Sequence, residues 1–368
     1  MFKFSCEKAL LSSGIGTVSR TVASKSTIPA LEGILVQVGE KIMLTGYNLE
    51  TGIRTAVSGI IEEMGSAVLD ARLFGEIIRR MPDDMITLTC DEKLNVTIES
   101  GMSKFSIMAI DAADYPKLNT VEEDDGITVK QNLLKSMIGE TIFAVSDNQA
   151  RPVHTGSLFD VEGSNLTIVS VDGYRLAMRK EKISDKDLGV SSFVVPGVAL
   201  TEVERICQDK DEDVLIRKDS KYVVFNIGDT VLVSRRLEGD FLNYKKAIPR
   251  NNPVSVIVDK KSMISSIERV ALIISDKVKT PVRFKFEDGV VNLNTHGTIG
   301  TASDTCAITG DGGGLEIGFN DKYILDAVKN ASAESIKIEL NTSISPAIIV
   351  PAEGEEKFVY MVLPVRLK

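Results

Sequence analysis

The sequence predicts an α+β protein assembled from three copies of one unit. Three observations predict it: a repeat about 124 residues long, strands whose apolar residues alternate, and short helices with a single apolar stripe. The strands Ile42-Met-Leu-Thr45, Leu166-Thr-Ile-Val169 and Val290-Val-Asn-Leu293 begin 124 residues apart. After them, Asn48, Asp172 and His296 occupy one equivalent place, and Gly173 and Gly297 the next.

Each unit opens with a strand that leads into a helix. Phe2–Cys6 leads to Leu10, Leu11 and Ile15; Ile127–Val129 to Leu133, Leu134, Met137 and Ile138; Val254–Val258 to Met263, Ile264 and Ile267. Apolar residues at i, i+1 and i+4 mark one buried helical face. A second helix follows the central strands: Leu73, Phe74, Ile77 and Ile78, then Ala199, Leu200 and Val203, then Tyr323, Ile324, Ala327 and Val328. Two alternating strands come next in each copy (Met85–Thr89 with Leu94–Glu99, Val214–Arg217 with Tyr222–Ile227, Ile336–Leu340 with Ala347–Val350). A closing strand ends it: Lys104–Ile110, Thr230–Leu237 or Phe358–Val365. The expected domains are 1–125, 126–250 and 251–368, joined through Glu122-Glu-Asp-Asp-Gly126 and Pro249-Arg-Asn-Asn-Pro253. The period exceeds the roughly 20–45 residues of a solenoid, so each copy holds its own core. Three such domains on short links form an arc, and an arc with two unlike ends binds a second copy end to end, closing a ring if the rotation allows.

Composition narrows the function. Of 368 residues, 43 are Lys or Arg and 52 are Asp or Glu, a net charge of −9, which argues against a protein that coats nucleic acid with a basic exterior. It leaves room for a basic face inside an acidic body. No apolar run approaches the ~18 residues of a membrane span, and Lys3, Glu7 and Lys8 interrupt the amino-terminal segment; a soluble cytoplasmic protein without membrane contact is expected. Cys6, Cys90, Cys207 and Cys306 lie far apart and read as reduced, half-buried thiols. Two histidines, His154 and His296, give a metal site or a triad almost nothing to draw on, and no cofactor is expected.

The motifs that suggest chemistry lack their context. Gly310-Asp-Gly-Gly-Gly314 runs into a strand, whereas a phosphate loop runs into a helix, so a flexible connection is expected. Asp209, Asp211 and Asp213 alternate but miss the glycine and the bidentate glutamate of a calcium loop, and read as a solvated turn. No serine sits in a Gly-x-Ser-x-Gly elbow. Nothing makes a positive case for catalysis.

The polar helix faces carry more information. Arg72, Arg79, Arg80, Lys135, Arg205, Arg269, Lys322 and Lys329 lie off the apolar stripes, and Lys25, Arg151, Lys277 and Lys279 precede prolines at matching places. Recurrence on the same elements suggests a shared basic surface that meets phosphate without reading bases. On the sixth helix, projection at 100° per residue places Leu272 and Ile273 away from the apolar face. They either pack under a loop or face a partner subunit.

The repeats, the acidic body and the ending Met361-Val-Leu-Pro-Val-Arg-Leu367 together resemble the bacterial sliding clamp family, the β subunit of DNA polymerase III. Ser170-Val-Asp-Gly-Tyr-Arg-Leu-Ala177 resembles the family's T-D-G-H-R-L-A, Gly239-Asp-Phe-Leu-Asn-Tyr244 its G-x-F-P-D-Y, and Ile317-Gly-Phe-Asn320 its I-G-F-N. The resemblance covers the whole chain. It implies three DNA-clamp domains per chain and a head-to-tail homodimer whose six domains close a ring, helices lining the hole and sheets outside.

The implied function is a processivity factor without catalytic activity of its own, a subunit of a DNA-directed DNA polymerase. It would encircle double-stranded DNA without sequence preference, be loaded by an ATP-dependent clamp loader, slide without using ATP, and work at replication forks on the nucleoid. The replicative polymerase α subunit and translesion and repair proteins would dock through short clamp-binding peptides. By the resemblance, DNA contacts fall to Lys25, Arg72, Asn148, Gln149, Arg151, Pro152 and Val153. The peptide groove draws on His154, Gly173, Tyr174, Arg175, Leu176, Leu242, Lys246, Ala247, Asn320, Tyr323 and Ile344, with Met361, Val362, Leu363, Pro364, Val365 and Arg366 from the chain's end. Arg175, Lys246 and Arg366 are expected to rim it. The dimer interface draws on Lys104, Phe105, Ile107, Leu272, Ile273 and Ile274. Leu242 stands where the family often has Pro, Lys246 where it has Arg, and Pro152 and Val153 where some members carry aromatics. A nucleic-acid enzyme and a DNA-independent scaffold are the competing readings.

Overall fold

The structure is a computed structural model that describes residues 1–82, 84–121, 126–275 and 280–367. Glu122–Asp125 of the expected first linker, and Lys277 and Lys279, lie outside the described residues. The first repeat runs β1 (Phe2–Glu7), α1 (Lys8–Val18), β2 (Gly33–Val38), β3 (Ile42–Tyr47), β4 (Thr51–Val57), β5 (Ile60–Glu63), β6 (Gly65–Asp70), α2 (Ala71–Arg80), β7 (Met85–Cys90), β8 (Asn95–Ser100) and β9 (Ser103–Met108). The second has β10 (Ile127–Lys130), α3 (Gln131–Gly139), β11 (Gly156–Glu162), β12 (Asn165–Val171), β13 (Arg175–Lys182), β14 (Val190–Pro196), α4 (Gly197–Ile206), β15 (Asp213–Lys218), β16 (Tyr222–Ile227), β17 (Thr230–Arg235) and the short α5 (Tyr244–Ala247). The third has β18 (Val254–Asp259), α6 (Lys260–Ala271), β19 (Val282–Gly297), β20 (Gly300–Phe319), α7 (Asp321–Asn330), β21 (Ser335–Leu340), β22 (Ala347–Pro351) and β23 (Phe358–Val362).

Local chemistry starts the helices. Asp70, Asp259 and Asn320 are the N-caps of α2, α6 and α7, each accepting a hydrogen bond from the backbone N–H three residues on, at 2.7, 2.8 and 3.1 Å. The three-fold repeat extends to single contacts: the bridges Val68 to Ile110, Val194 to Leu237 and Gly318 to Val365 tie equivalent residues in the three copies.

The sheets do not stop where the repeats do. One has the order β10-β15-β16-β17-β4-β3-β2-β6, and the antiparallel pair β17–β4 (Thr230 opposite Thr55, Ser234 opposite Thr51) fuses the first two repeats. Another has the order β14-β11-β12-β13-β23-β22-β21-β18-β20-β19, fused by β13–β23 between the second repeat and the third. A five-stranded sheet, β5-β1-β7-β8-β9, belongs to the first repeat alone. The chain accordingly divides into two compact units. Met1–Lys135 with Glu202–Arg236 forms one; Ser136–Thr201 with Leu237–Lys368 forms the other. In the second unit, α6 and α7 pack over Phe284, Phe286, Phe319, Phe358 and Tyr360, all buried.

Three expectations change. Gly310–Gly314 is no loose connection: it lies within β20, where the pairing with β19 shifts register and Gly310, Gly313 and Gly314 take positive φ. Helix α6 ends at Ala271, so Leu272 and Ile273 stand in the turn after it and the helical projection does not apply to them. The four thiols are fully buried, not half-buried, and unpaired. Burial pushes each of them up in pKa, that of Cys6 to about 11.

Candidate functional site

The residues expected to form the peptide groove lie in the second unit, around the seam where β13 meets β23. The seam begins at a tight turn. Asp172 Oδ1 accepts hydrogen bonds from the backbone N–H groups of Tyr174 (2.9 Å) and Arg175 (3.0 Å), and Gly173 supplies the left-handed residue between them, at φ +92°. The Tyr174 carbonyl accepts from the Leu363 N–H at 2.9 Å, which ties the chain's end to this turn. In register below it, Arg175 faces Val362 and Leu176 faces Met361.

Arg175 is 7% exposed and does not rim an open channel. Its Nε donates to Asp172 (2.9 Å) and one Nη to Asp326 on α7 (2.6 Å). The guanidinium also lies 4.6 Å from the centre of the Tyr323 ring and 5.4 Å from that of Phe143. A buried arginine needs such partners, because an unpaired charge there is costly. Tyr323 is held twice, since Tyr174 stacks on it with ring centres 5.8 Å apart. Burial, with Asp172 nearby, raises the Tyr323 hydroxyl above its ordinary pKa. Asn320, the α7 cap, fixes the start of the helix that carries both Tyr323 and Asp326.

The apolar floor is a core cluster: Leu158, Val169, Leu176, Tyr244 and Met361, with Val153 and Phe241 packed at its edge. Leu176, Met361 and Val362 are therefore sealed in the sheet, while Tyr174, Leu242, Ile344 and Val365 expose apolar surface. Leu363 and Pro364 are half-buried, and Lys246 and Arg366 are exposed cations. Ala247 closes α5, which is pinned by the Tyr244 hydroxyl donating to Asp160 (2.7 Å) and by Lys245 on Glu162 (2.7 Å). Burial, with Asp160 beside it, pushes the Tyr244 hydroxyl up to about 12. His154 meets the Phe241 ring edge-on at 5.5 Å, and burial followed by Arg151 lowers its pKa. The residues that sequence reasoning missed are Asp172 and Asp326, Phe143 and Phe241. Asp172 sat inside the quoted motif, but no local pattern pairs Arg175 with an aspartate from the next repeat.

The DNA candidates fall in both units. In the first, Lys25 is exposed, and Arg72 and Arg79 line a cleft of about 800 Å³ between α1 and α2. In the second, Asn148, Gln149, Arg151 and Pro152 form an exposed loop, with Val153 half-buried. Several off-stripe cations are tied to carboxylates: Arg72 and Arg80 to Glu76, Lys135 to Asp209, Arg205 to Glu202, Arg269 to Asp304, Lys329 to Glu268. The basic surface is thus weaker than the count of cations implies. Of the interface candidates, Lys104, Phe105 and Ile107 lie on β9, an edge strand, with Phe105 exposed and Lys104 paired to Glu99 (2.8 Å). Leu272 is 80% exposed, while Ile273 and Ile274 are half-buried. Among the described residues there is no cluster of three or more metal-ligating side chains, and no helix is long and apolar enough to cross a membrane.

Comparison with known proteins agrees with this architecture repeat by repeat. The profiles of the N-terminal, central and C-terminal domains of the DNA polymerase III beta subunit match residues 2–119, 128–243 and 245–366. A beta sliding clamp from Staphylococcus aureus is 30% identical over the full length of both chains, and one from Halalkalibacterium halodurans is 32% identical over 99% of each. The crystal structure of the DNA polymerase sliding clamp from Bacillus subtilis superposes with a TM-score of 0.95 at 30% identity, covering all of both chains. With three domains matched in order and relatives aligned end to end, the chain belongs to the DNA polymerase III beta subunit family, the beta sliding clamps.

Proposed function

We infer that this sliding clamp works as a head-to-tail homodimer that encircles duplex DNA and tethers the polymerase, with no chemistry of its own. One observation carries the assembly: the way the repeats are joined. The last strand of the second repeat, β17, adds to β4 of the first, and the last strand of the third, β23, adds to β13 of the second. Strands β4, β13 and the start of β20 are equivalent in the repeat, as are β9, β17 and β23. Among the described residues the pattern leaves β9 without a neighbour on its outer side and the Gly300–Cys306 stretch of β20 paired only with β19. These two edges complete the same junction between two copies. Unpaired edges invite such pairing, and a head-to-tail contact that closes gives a ring. Phe105 and Ile107 on β9, with Leu272, Ile273 and Ile274 of the third repeat, supply the apolar part of the contact.

DNA binding rests on Lys25, Arg72, Asn148, Gln149, Arg151, Pro152 and Val153 as phosphate contacts, weak enough to break at every step of sliding. Tyr174, Leu242, Ile344 and Val365 offer open apolar surface beside the cations Lys246 and Arg366. That combination suits an extended peptide with Leu or Phe anchors and a polar or acidic residue. Partners of this kind are the polymerase α subunit, translesion and repair proteins, and an ATP-driven loader, all in the cytoplasm and at forks on the nucleoid.

The test is topological. Protein loaded on nicked circular DNA should stay bound in high salt and leave once the circle is cut. Binding to short linear duplexes should be feeble, with a salt slope of about 0.9 per phosphate neutralised. Tight binding to a short linear duplex, or equal retention on cut and uncut circles, refutes encirclement.

A further inference from the structure

A second site lies in the first unit, on the sheet face opposite α1. Side chains alternate across a strand. On β4, Thr55 and Val57 meet α1 at Gly14, so Arg54 points to the other face. The segment after β9 covers that face: Leu118 packs with Tyr115 and Leu35, and the Tyr115 hydroxyl donates to the Thr45 carbonyl at 3.2 Å. Between sheet and segment lies a cavity of about 450 Å³. Arg54, Thr45, Gln37, Ser66, Lys117 and Thr120 line it, and among the described residues no carboxylate does.

Its donors are unspent. The Arg54 side chain makes no hydrogen bond or ion pair among the described residues, and its Nε is sealed from solvent without a partner. The Thr45 Oγ1, on the residue directly across from Arg54, is likewise buried and unpartnered. A buried guanidinium Nε and a buried hydroxyl left without partners each cost stability, and such orphans ask for an explanation. By contrast, the buried Arg175 and Arg179 each hold two carboxylates. The geometry points to an oxyanion site that takes the phosphate group of a small molecule. A guanidinium fork matches phosphate oxygens two at a time. Thr45, Ser66, Gln37, Lys117 and Thr120 come from different strands and from the covering segment, and offer further donors around an anion with three or four oxygens. A carboxylate, with two oxygens, would leave part of this set unused. The site is separate from the cleft between α1 and α2 and from the β13–β23 seam.

The experiment uses the full-length protein at constant ionic strength. Inorganic phosphate, pyrophosphate and adenosine monophosphate are titrated by calorimetry and thermal shift, with sodium acetate as the carboxylate control. Saturable binding of at least one phosphate compound is expected, weakened at least tenfold in Arg54→Met and severalfold in Thr45→Val, and unchanged in Lys93→Gln, an exposed lysine elsewhere. Which compound binds tightest distinguishes free phosphate from a nucleotide-borne one. Without ligand, Arg54→Met should melt no lower than the parent, because it removes a half-buried cation whose sealed Nε has no partner. Acetate binding as tightly as phosphate, equal affinity in Arg54→Met, or a ligand-free Arg54→Met that melts clearly lower would overturn the assignment.

Discussion

Replacing Arg175 by Met tests whether that side chain is a structural pin at the β13–β23 seam. The substitution keeps much of the apolar stem but strands Asp172 and Asp326, whose side chains are 12% and 27% exposed. Removing one partner of a buried ion pair costs about 3–5 kcal/mol. Asp326 regains water readily, so the lower end applies, about 3 kcal/mol, and the lost contact with the Tyr323 ring adds about 0.5–1 kcal/mol. At about 1.4 kcal/mol per tenfold change, amides at the seam should exchange with solvent two to three powers of ten faster. Hydrogen exchange suits the measurement, because it reports local opening and does not require a multi-repeat chain to unfold in one step. The Leu363 N–H, bonded to the Tyr174 carbonyl, and the β23 amides are the probes. Asp326→Asn leaves Arg175 paired to Asp172 and should cost only about 1 kcal/mol. If Arg175→Met leaves seam exchange within threefold of the parent, the guanidinium contributes little to holding the seam and the structural-pin assignment is wrong.

Phe105→Asp on the β9 edge, or Ile273→Asp after α6, should yield a folded monomer in sedimentation; a protein that remains wholly dimeric excludes that contact. For the groove, deleting Met361–Lys368 is a poor probe, because Met361 and Val362 are buried in the sheet. Deleting Val365–Lys368 spares the buried strand, removes the Val365 bridge to Gly318, the Leu367 contact beside Gly318 and the exposed Arg366, and should weaken a fluorescent clamp-binding peptide at least fivefold while the dimer persists; unchanged affinity refutes the groove. His154 gives a pH dependence: its pKa is lowered in the fold by burial and then by Arg151, so below the unfolded value near 6.5 the unfolded chain binds more protons. Its contribution is complete above that pH and is lost as pH falls through the folded pKa. A urea midpoint with the same pH slope in His154→Gln as in the parent would contradict this.

Sequence alone determined the repeat, the strand and helix faces and the family, because each is written in local periodicity and short motifs. The stripe Leu73, Phe74, Ile77 and Ile78 predicts α2, and Phe74, Ile77 and Ile78 form its buried side, while Leu73 at the edge of the stripe is exposed. The Asp172-Gly173 pair was legible as a repeat position and as part of the family motif, and its turn geometry is local to it. What tertiary structure decided were the relations between repeats. That β17 adds to β4, that Arg175 is spent on an aspartate from the next repeat, and that Arg54 is left without one depend on which strands become neighbours, and periodicity within one unit carries no record of that. The end of α6 at Ala271 belongs to the same class: an uncapped apolar run reads as helix until packing ends it. A side chain's charge is fixed by its codon, but whether that charge is exposed, paired or left waiting is fixed only when distant segments meet.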